Sequence, residues 1–89
     1  MLVYGMVLAY ILMMVNSGSE GEVAKKIAEY EEVESVSIVY GEYDLIAKVR
    51  VRDLDDLDDF LTNKIRGLPQ TLLTTTMIVS KEYKRNINR

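Results

Sequence analysis

Apolar and polar residues alternate along the chain in a pattern that predicts strands and helices in turn. Residues 36–51 read VSIVYGEYDLIAKVRV, two alternating runs rich in β-branched residues around a glycine-containing tetrapeptide, residues 41–44. This pattern predicts a β-hairpin. Period-two alternation assigns one face of the first run to Val36, Ile38 and Tyr40 and one face of the second to Leu45, Ala47, Val49 and Val51.

The segment before the hairpin predicts one strand and one helix. Residues 3–15 are almost uninterruptedly apolar, which is typical of a strand buried on both faces. After a turn at residues 16–18, Ser19 and Glu22 match a capping box, in which each side chain would bond a free amide of the first helical turn. Apolar residues at helical spacing then predict a helix that ends near Glu31 or Glu32.

The segment after the hairpin predicts a second helix and a last strand. Asp53 is a candidate N-cap, Gly67 a candidate left-handed residue at the helix end, and Pro69 prevents the helix from resuming. Residues 72–80, with a threonine triplet in the middle, predict the last strand. The predicted apolar stripe of the second helix comprises Leu54, Leu57, Phe60, Leu61 and Ile65.

The resulting order, βαββαβ, predicts an α+β protein of the ferredoxin-like kind. Its four-stranded antiparallel sheet would carry two helices on one face. We expect residues 1–80 to form this single domain and residues 81–89 to be a polar C-terminal tail. The other sheet face would expose a sizeable apolar patch, which predicts sheet-on-sheet dimerisation. The alternative is a monomer whose open face is covered by the tail or by long basic side chains.

Composition narrows the classes of function. The chain has no Cys and no His, so thiolate chemistry, the commonest general base and the commonest zinc ligand are all missing. The net charge of −3 makes direct nucleic-acid binding a poor expectation. The apolar N-terminus is too short for a membrane helix and lacks the basic start of a signal peptide. We therefore expect a cytoplasmic protein without a cofactor.

Three polar clusters have simpler structural explanations than a site. The acidic run at residues 53–59 could hold a hard cation but suits the start of a helix, and no metal site is predicted. Lys48, Arg50 and Arg52 could bind RNA, but the central strands lack the aromatics that stack bases, so a solvated or ion-paired face is favoured. The threonine triplet could line a site, yet threonine is simply a good strand residue.

The turn at residues 41–44 is the most informative polar feature. Backbone amides in a glycine turn could meet the carboxylate of a free amino acid, and Asp44 or Glu42 could meet its ammonium group. Tyr43 could form a wall of such a pocket. An ordinary turn, in which Gly41 supplies a positive φ and Asp44 bonds nearby backbone, explains the same residues equally well.

These motifs resemble a known family. GEYDLIAKVRVRD, followed by LDDF, I-x-x-LP and TTTMIV, resembles the C-terminal effector-binding (RAM) domain of Lrp/AsnC transcription regulators, over about residues 7–79. The resemblance implies sheet-to-sheet dimers that join into larger rings, with amino acids bound where dimers meet. Carried over by position, it implies that Gly41, Tyr43 and Asp44 of the turn and Thr74 and Thr76 of the last strand contribute to the site. With Glu42, whose carboxylate could meet an ammonium group, these residues make up the predicted ligand-binding site.

The chain departs from the family by beginning almost directly at the first strand, without the helix-turn-helix domain. We therefore expect a stand-alone regulatory domain that binds an amino acid, oligomerises and modulates full-length Lrp/AsnC regulators. We do not expect an enzyme. Two alternatives stay open: a small enzyme of the dimeric α+β-barrel kind, and a purely structural oligomerisation module.

Overall fold

The structure is a computed structural model that describes residues 6–86. Its order of elements confirms the predicted βαββαβ arrangement. The elements are β1 (Val7–Val15), α1 (Glu20–Ala28), β2 (Val33–Ile38), β3 (Leu45–Val51), α2 (Leu54–Phe60) with a π-helical extension (Leu61–Ile65), and β4 (Thr71–Ile78).

The four strands form one antiparallel sheet in the order β2-β3-β1-β4. The order places β1 and β3 in the middle and β2 and β4 at the edges. On β1, Ile11 lies opposite Ala47 of β3 and opposite Thr76 of β4. Because successive side chains point to opposite faces, this register assigns every paired residue to one of two faces.

One face of the sheet packs against both helices and forms the core. Alternate residues of β1 and β3 are fully or almost fully buried there, so each large aliphatic side chain contributes roughly 1.5–3 kcal/mol of burial. The core comprises Ala9, Ile11, Met13, Val15, Val23, Ile27, Leu45, Ala47, Val49, Val51, Leu57, Phe60, Leu61, Ile65 and Leu68. The predicted inward face of the second hairpin strand is thereby confirmed.

The opposite surface, which we call the open face, carries no helix of residues 6–86. Its central residues form an apolar patch that consists of Tyr10, Leu12, Met14, Ile46, Leu73 and Met77. Leu73 and Met77 are 52% and 50% exposed. At one end of the open face the side chain of Leu8 is buried. There Nζ of Lys48 on β3 donates to Oε2 of Glu82, beyond β4, at 3.4 Å, so this bond crosses β1.

The capping box predicted for α1 is wrong. The Ser19 hydroxyl donates to the carbonyl of Asn16 at 2.6 Å and makes no cap to the helix. The Glu22 carboxylate instead accepts a hydrogen bond from the side chain of Gln70 at 3.3 Å. Each side chain thus has a turn or tertiary partner in place of a backbone amide at the start of the helix. The helix ends at Ala28, earlier than predicted.

The second helix begins as predicted and ends differently. The Asp53 carboxylate accepts from the amide of Asp56 at 2.8 Å, which confirms the N-cap. Leu54, however, is 59% exposed, so the first turn of α2 lies outside the packed layer and this member of the stripe is wrong. The other four members of the stripe are buried.

The left-handed helix end predicted at Gly67 is also wrong. Among residues 6–86, positive φ occurs only at Gly18 and Gly41. The helix widens in its last turn, where the amide of Arg66 donates to the carbonyl of Leu61, five residues back, at 2.8 Å. This π-helical turn terminates the helix, so no left-handed residue is required there.

The strand bounds differ slightly from those predicted. β2 ends at Ile38, and Tyr40 lies beyond it, fully exposed, so the prediction that Tyr40 shares the strand face is wrong. β4 runs from Thr71 to Ile78 rather than over residues 72–80. The predicted start of the first strand, residue 3, lies outside the described residues. Residues 81–86 are exposed and belong to no helix or strand, and the domain boundary at residue 80 stays a prediction.

Candidate functional site

The connection between β2 and β3 is fastened to the end of β1. The amide of Asp44 donates to the carbonyl of Met13 at 2.9 Å, and the carbonyl of Asp44 accepts from the amide of Val39 at 2.9 Å. Gly41 has φ +138°, a conformation that other residues rarely adopt. The turn is therefore held at its base, while Gly41 and Glu42 are exposed at its tip.

The Asp44 carboxylate serves as a backbone acceptor. Its Oδ2 atom accepts from the amide of Val15 at 2.9 Å, in a partly buried position. The paired register of β1 with β3 ends at Met13 and Leu45, so Val15 has no strand partner on that side. The side chain replaces the missing strand carbonyl. This contact matches the structural explanation of Asp44, and it leaves the second carboxylate oxygen for another partner.

Tyr43 joins the turn to the far edge strand. Its hydroxyl lies 3.0 Å from Oγ1 of Thr75 on β4, within hydrogen-bond distance. Thr75 pairs with Leu12 and therefore lies on the open face, inside the apolar patch. Because β1 lies between β3 and β4 and Thr75 is opposite Leu12, the side chain of Tyr43 reaches across β1 to β4. Thr75 is not among the predicted site residues. Period-two alternation places Thr75 and the two neighbouring threonines on opposite faces of the strand, but it does not indicate which face the turn approaches.

The two predicted threonines lie on the other side of the sheet. Thr74 pairs with Met13 and Thr76 with Ile11, so both face the helix side and are partly buried at the sheet edge. Thr71, opposite Val15, has a buried hydroxyl oxygen without a hydrogen-bond partner among the described residues. Such a group is costly unless it is satisfied by a further partner.

The six predicted site residues are thus only partly brought together within one chain. Tyr43 and Asp44 contact β4 and β1, whereas Gly41 and Glu42 project into solvent. Thr74 lies beside Met13, near the same end of β1, and Thr76 lies beside Ile11 in the middle of that strand. The set remains a prediction: within one protomer Tyr43 and Asp44 lie at one corner of the sheet, and the two threonines lie on its helix side.

The basic side chains of β3 are ion-paired. Arg50 bonds the Glu34 carboxylate, and Lys48 lies 3.8 Å from Glu34 and 3.4 Å from Glu82. The hydrogen bond from Arg50 holds the pKa of Glu34 below its usual value. The hydrogen bond to Glu82 raises the pKa of Lys48. These partners favour the predicted ion-paired face over a phosphate-binding one.

A groove of about 410 Å³ lies at the other end of β3 from the turn. Its floor includes Val51 and Phe60, and its walls contain two internal ion pairs. Lys64 lies 3.1 Å from Glu32 and within 5.2 Å of the centre of the Tyr30 ring, so its charge is already satisfied. The groove contains none of the predicted site residues.

The acidic run at the start of α2 has local partners. Arg52 bonds the Asp56 carboxylate at 2.8 Å, and this bond lowers the pKa of Asp56. Within residues 6–86, no group of three or more acidic residues is arranged to hold a metal ion. No helix in this part of the chain is long and apolar enough to cross a membrane.

The fold and the polar turn define a ferredoxin-like α+β domain with a candidate small-molecule site at one corner of its sheet. The model of the Lrp/AsnC ligand binding domain matches residues 8–88, and the chain belongs to this family. The family resemblance inferred from the hairpin, the LDDF segment and the threonine strand is confirmed.

Similar proteins and solved structures support this family membership. The HTH-type transcriptional regulator FL11 of Pyrococcus abyssi is 40% identical over 77 residues, which are 86% of this chain and 50% of FL11. The crystal structure of PHS023 from Pyrococcus horikoshii is 48% identical with a TM-score of 0.81, covering 86% of this chain and 93% of that one. Escherichia coli AsnC is 28% identical with a TM-score of 0.84, covering 91% of this chain and 56% of AsnC. The chain spans about half the length of the curated relatives it matches.

Proposed function

We propose that the protein is a regulatory domain that binds a free amino acid at the corner formed by the hairpin turn and β4. The observation that carries the proposal is the fastening of the turn: Asp44 is bonded to β1 and Tyr43 to β4. A binding turn held from two sides loses less conformational freedom when a ligand arrives. The role is one of binding and regulation rather than catalysis.

The residues suit the two charged ends of an amino acid. The amides of the Gly41 turn can receive a carboxylate, because consecutive amides form an anion-binding concavity. The free oxygen of Asp44, or the carboxylate of Glu42, can receive the ammonium group. Thr74 adds a hydroxyl on the helix side near the same end of β1, and Thr76 adds one farther along the strand, opposite Ile11. A protein of the same fold, the transcriptional regulator NMB0573 of Neisseria meningitidis, 20% identical with a TM-score of 0.81, has been crystallised with L-Met.

The proposal includes assembly through the open face. The apolar patch, with Leu73 and Met77 about half exposed, is the kind of surface that marks an interface. Pairing two such faces would produce a two-fold dimer. Joining dimers would bring a second surface against the exposed tip of the turn and the helix-side threonines. Because the relatives are HTH-type regulators of about twice this length, we also propose mixed assembly with full-length relatives, in the cytoplasm.

Thermal unfolding in the presence of each common amino acid tests this function. A ligand that binds only the folded state raises the melting temperature, by an amount that grows with the ratio of its concentration to its dissociation constant. We expect at least one amino acid at millimolar concentration to raise it, and Asp44→Asn to reduce that rise. Glu31→Gln, an exposed carboxylate change in the distant groove, is the matched control and should keep the rise.

Two results would overturn the two parts of this proposal separately. No rise with any amino acid, for a protein that still dimerises in light scattering, would overturn the binding role and favour the structural oligomerisation module. A strictly monomeric protein at micromolar concentration would overturn the assembly.

A further inference from the structure

The hydrogen bond between Tyr43 and Thr75 joins two surfaces to which the proposed function gives different tasks. Tyr43 belongs to the turn that would bind the amino acid, and Thr75 lies within the apolar patch that would meet a second copy. Thr75 is flanked along β4, on the same face, by the half-exposed Leu73 and Met77. A second copy seated on the patch would therefore cover this bond.

We propose that Tyr43 is a positioning residue that couples assembly through the open face to amino-acid binding at the turn. The inference rests on the proposed function and specifies how that site is regulated. The hydroxyl of Tyr43, held by Thr75, sets the orientation of the turn whose next residue is Asp44. The coupling acts in both directions, because the effect of one binding event on another is thermodynamically reciprocal.

The physical cause is removal of the bond from water. In a single chain both hydroxyls are exposed, and water competes with the bond, so the turn is only weakly held from this side. Under a second copy, water no longer replaces either partner, and breaking the bond leaves two unsatisfied groups. Assembly would then hold Tyr43 in place and reduce the ordering that an amino acid must impose on the turn.

A second copy on the open face would not cover the other contacts of the turn in this way. The bonds of Asp44 to Met13 and Val15 lie at the end of β1, and neither Met13 nor Val15 belongs to the apolar patch. Tyr40, on the same connection, has a fully exposed side chain. Tyr43 is thus the turn residue whose side chain reaches the open face.

The test measures the dimer dissociation constant of the full chain by sedimentation, with and without a mixture of the common L-amino acids at millimolar concentration. For the wild type we expect the mixture to tighten the dimer by about fivefold or more, within the range of ordinary allosteric coupling. Tyr43→Phe and Thr75→Val should each abolish the tightening while the proteins still dimerise. The double variant should behave like either single variant, since both remove the same bond.

Two controls separate positioning from a general structural effect. Thr75→Ser keeps a hydroxyl and should restore the tightening that Thr75→Val removes. Tyr40→Phe makes the same chemical change on the same connection, at a side chain without a contact, and should leave the tightening unchanged.

The outcomes are distinguishable from failure of the proposed function. Full tightening in both Tyr43→Phe and Thr75→Val overturns the coupling, as does a wild type that dimerises and binds the mixture without any linkage. Both of those results leave the binding function standing. A wild type that fails to bind the mixture overturns both proposals.

Discussion

Replacing Asp44 separates the two tasks of its carboxylate. In the folded chain Oδ2 accepts the amide of Val15 at 2.9 Å in a partly buried position. Asp44→Ala removes the acceptor and leaves that amide without a protein partner. Asp44→Asn keeps a side-chain oxygen of the same size and position but removes the negative charge. The first change tests the fold and the second tests recognition of an ammonium group.

The magnitudes follow from the contact. An unsatisfied, partly buried amide costs about 1–3 kcal/mol, so Asp44→Ala should lower the free energy of unfolding by that amount. For a domain of this size each kcal/mol lowers the melting temperature by roughly 4–8 °C. Asp44→Asn exchanges a charge-assisted bond for a neutral one about half as strong, so it should cost about 1 kcal/mol or less.

Urea unfolding followed by circular dichroism measures both variants. All samples need the same protomer concentration, because assembly adds to apparent stability. We expect Asp44→Asn to unfold close to the wild type and yet to lose most of the rise in melting temperature caused by an amino acid. Equal destabilisation by Asn and Ala would refute the view that the oxygen acts as a replacement strand acceptor. An undiminished rise in Asp44→Asn would refute a role for its charge.

Three further predictions follow from single contacts. Gly41→Ala should destabilise the fold by about 1–3 kcal/mol in urea unfolding, because φ +138° is strained for alanine. Glu34→Gln should lower the free energy of unfolding only a little at neutral pH, and by still less as the pH falls. The hydrogen bond from Arg50 lowers the pKa of Glu34 in the folded chain below the unfolded value of about 4.5. The stabilisation from this ion pair is therefore fully present above the unfolded pKa and is lost as the pH falls through the lower folded pKa. Met77→Glu should shift light scattering from dimer to monomer, because it places a charge in the apolar patch.

Each of these has a control within the chain. Gly21 lies in α1 without positive φ and with open space around its Cβ position, so Gly21→Ala should leave stability unchanged or raise it. For Glu34→Gln, a constant difference from the wild type at every pH would contradict the ion-pair explanation. Leu54, 59% exposed against 50% for Met77, lies away from the open face, so Leu54→Glu should not alter assembly. Dissociation by both Met77→Glu and Leu54→Glu would point to a general loss of folding.

The candidate site was predictable in its types of residue more than in its geometry. An aromatic and two carboxylates beside a glycine predicted a binding turn at residues 41–44. The contact of Tyr43 with Thr75 could not be predicted, since the two residues are 32 positions apart and meet only through the pairing of β1 with β4. The threonine triplet was correctly placed on a strand, but only the register assigns Thr75 to the open face and its neighbours to the helix side.

The sequence by itself determined the order of elements, the inward residues of β3 and the N-cap at Asp53. These features depend on period-two or helical spacing and on neighbours within a few residues, so local chemistry suffices to predict them. Only the tertiary structure decided that Glu22 bonds Gln70, that the second helix ends in a π-helical turn, and that Asp44 completes the pairing of Val15. Each of these is a choice among polar partners of similar strength, and strand register and helix packing decide which partner is near.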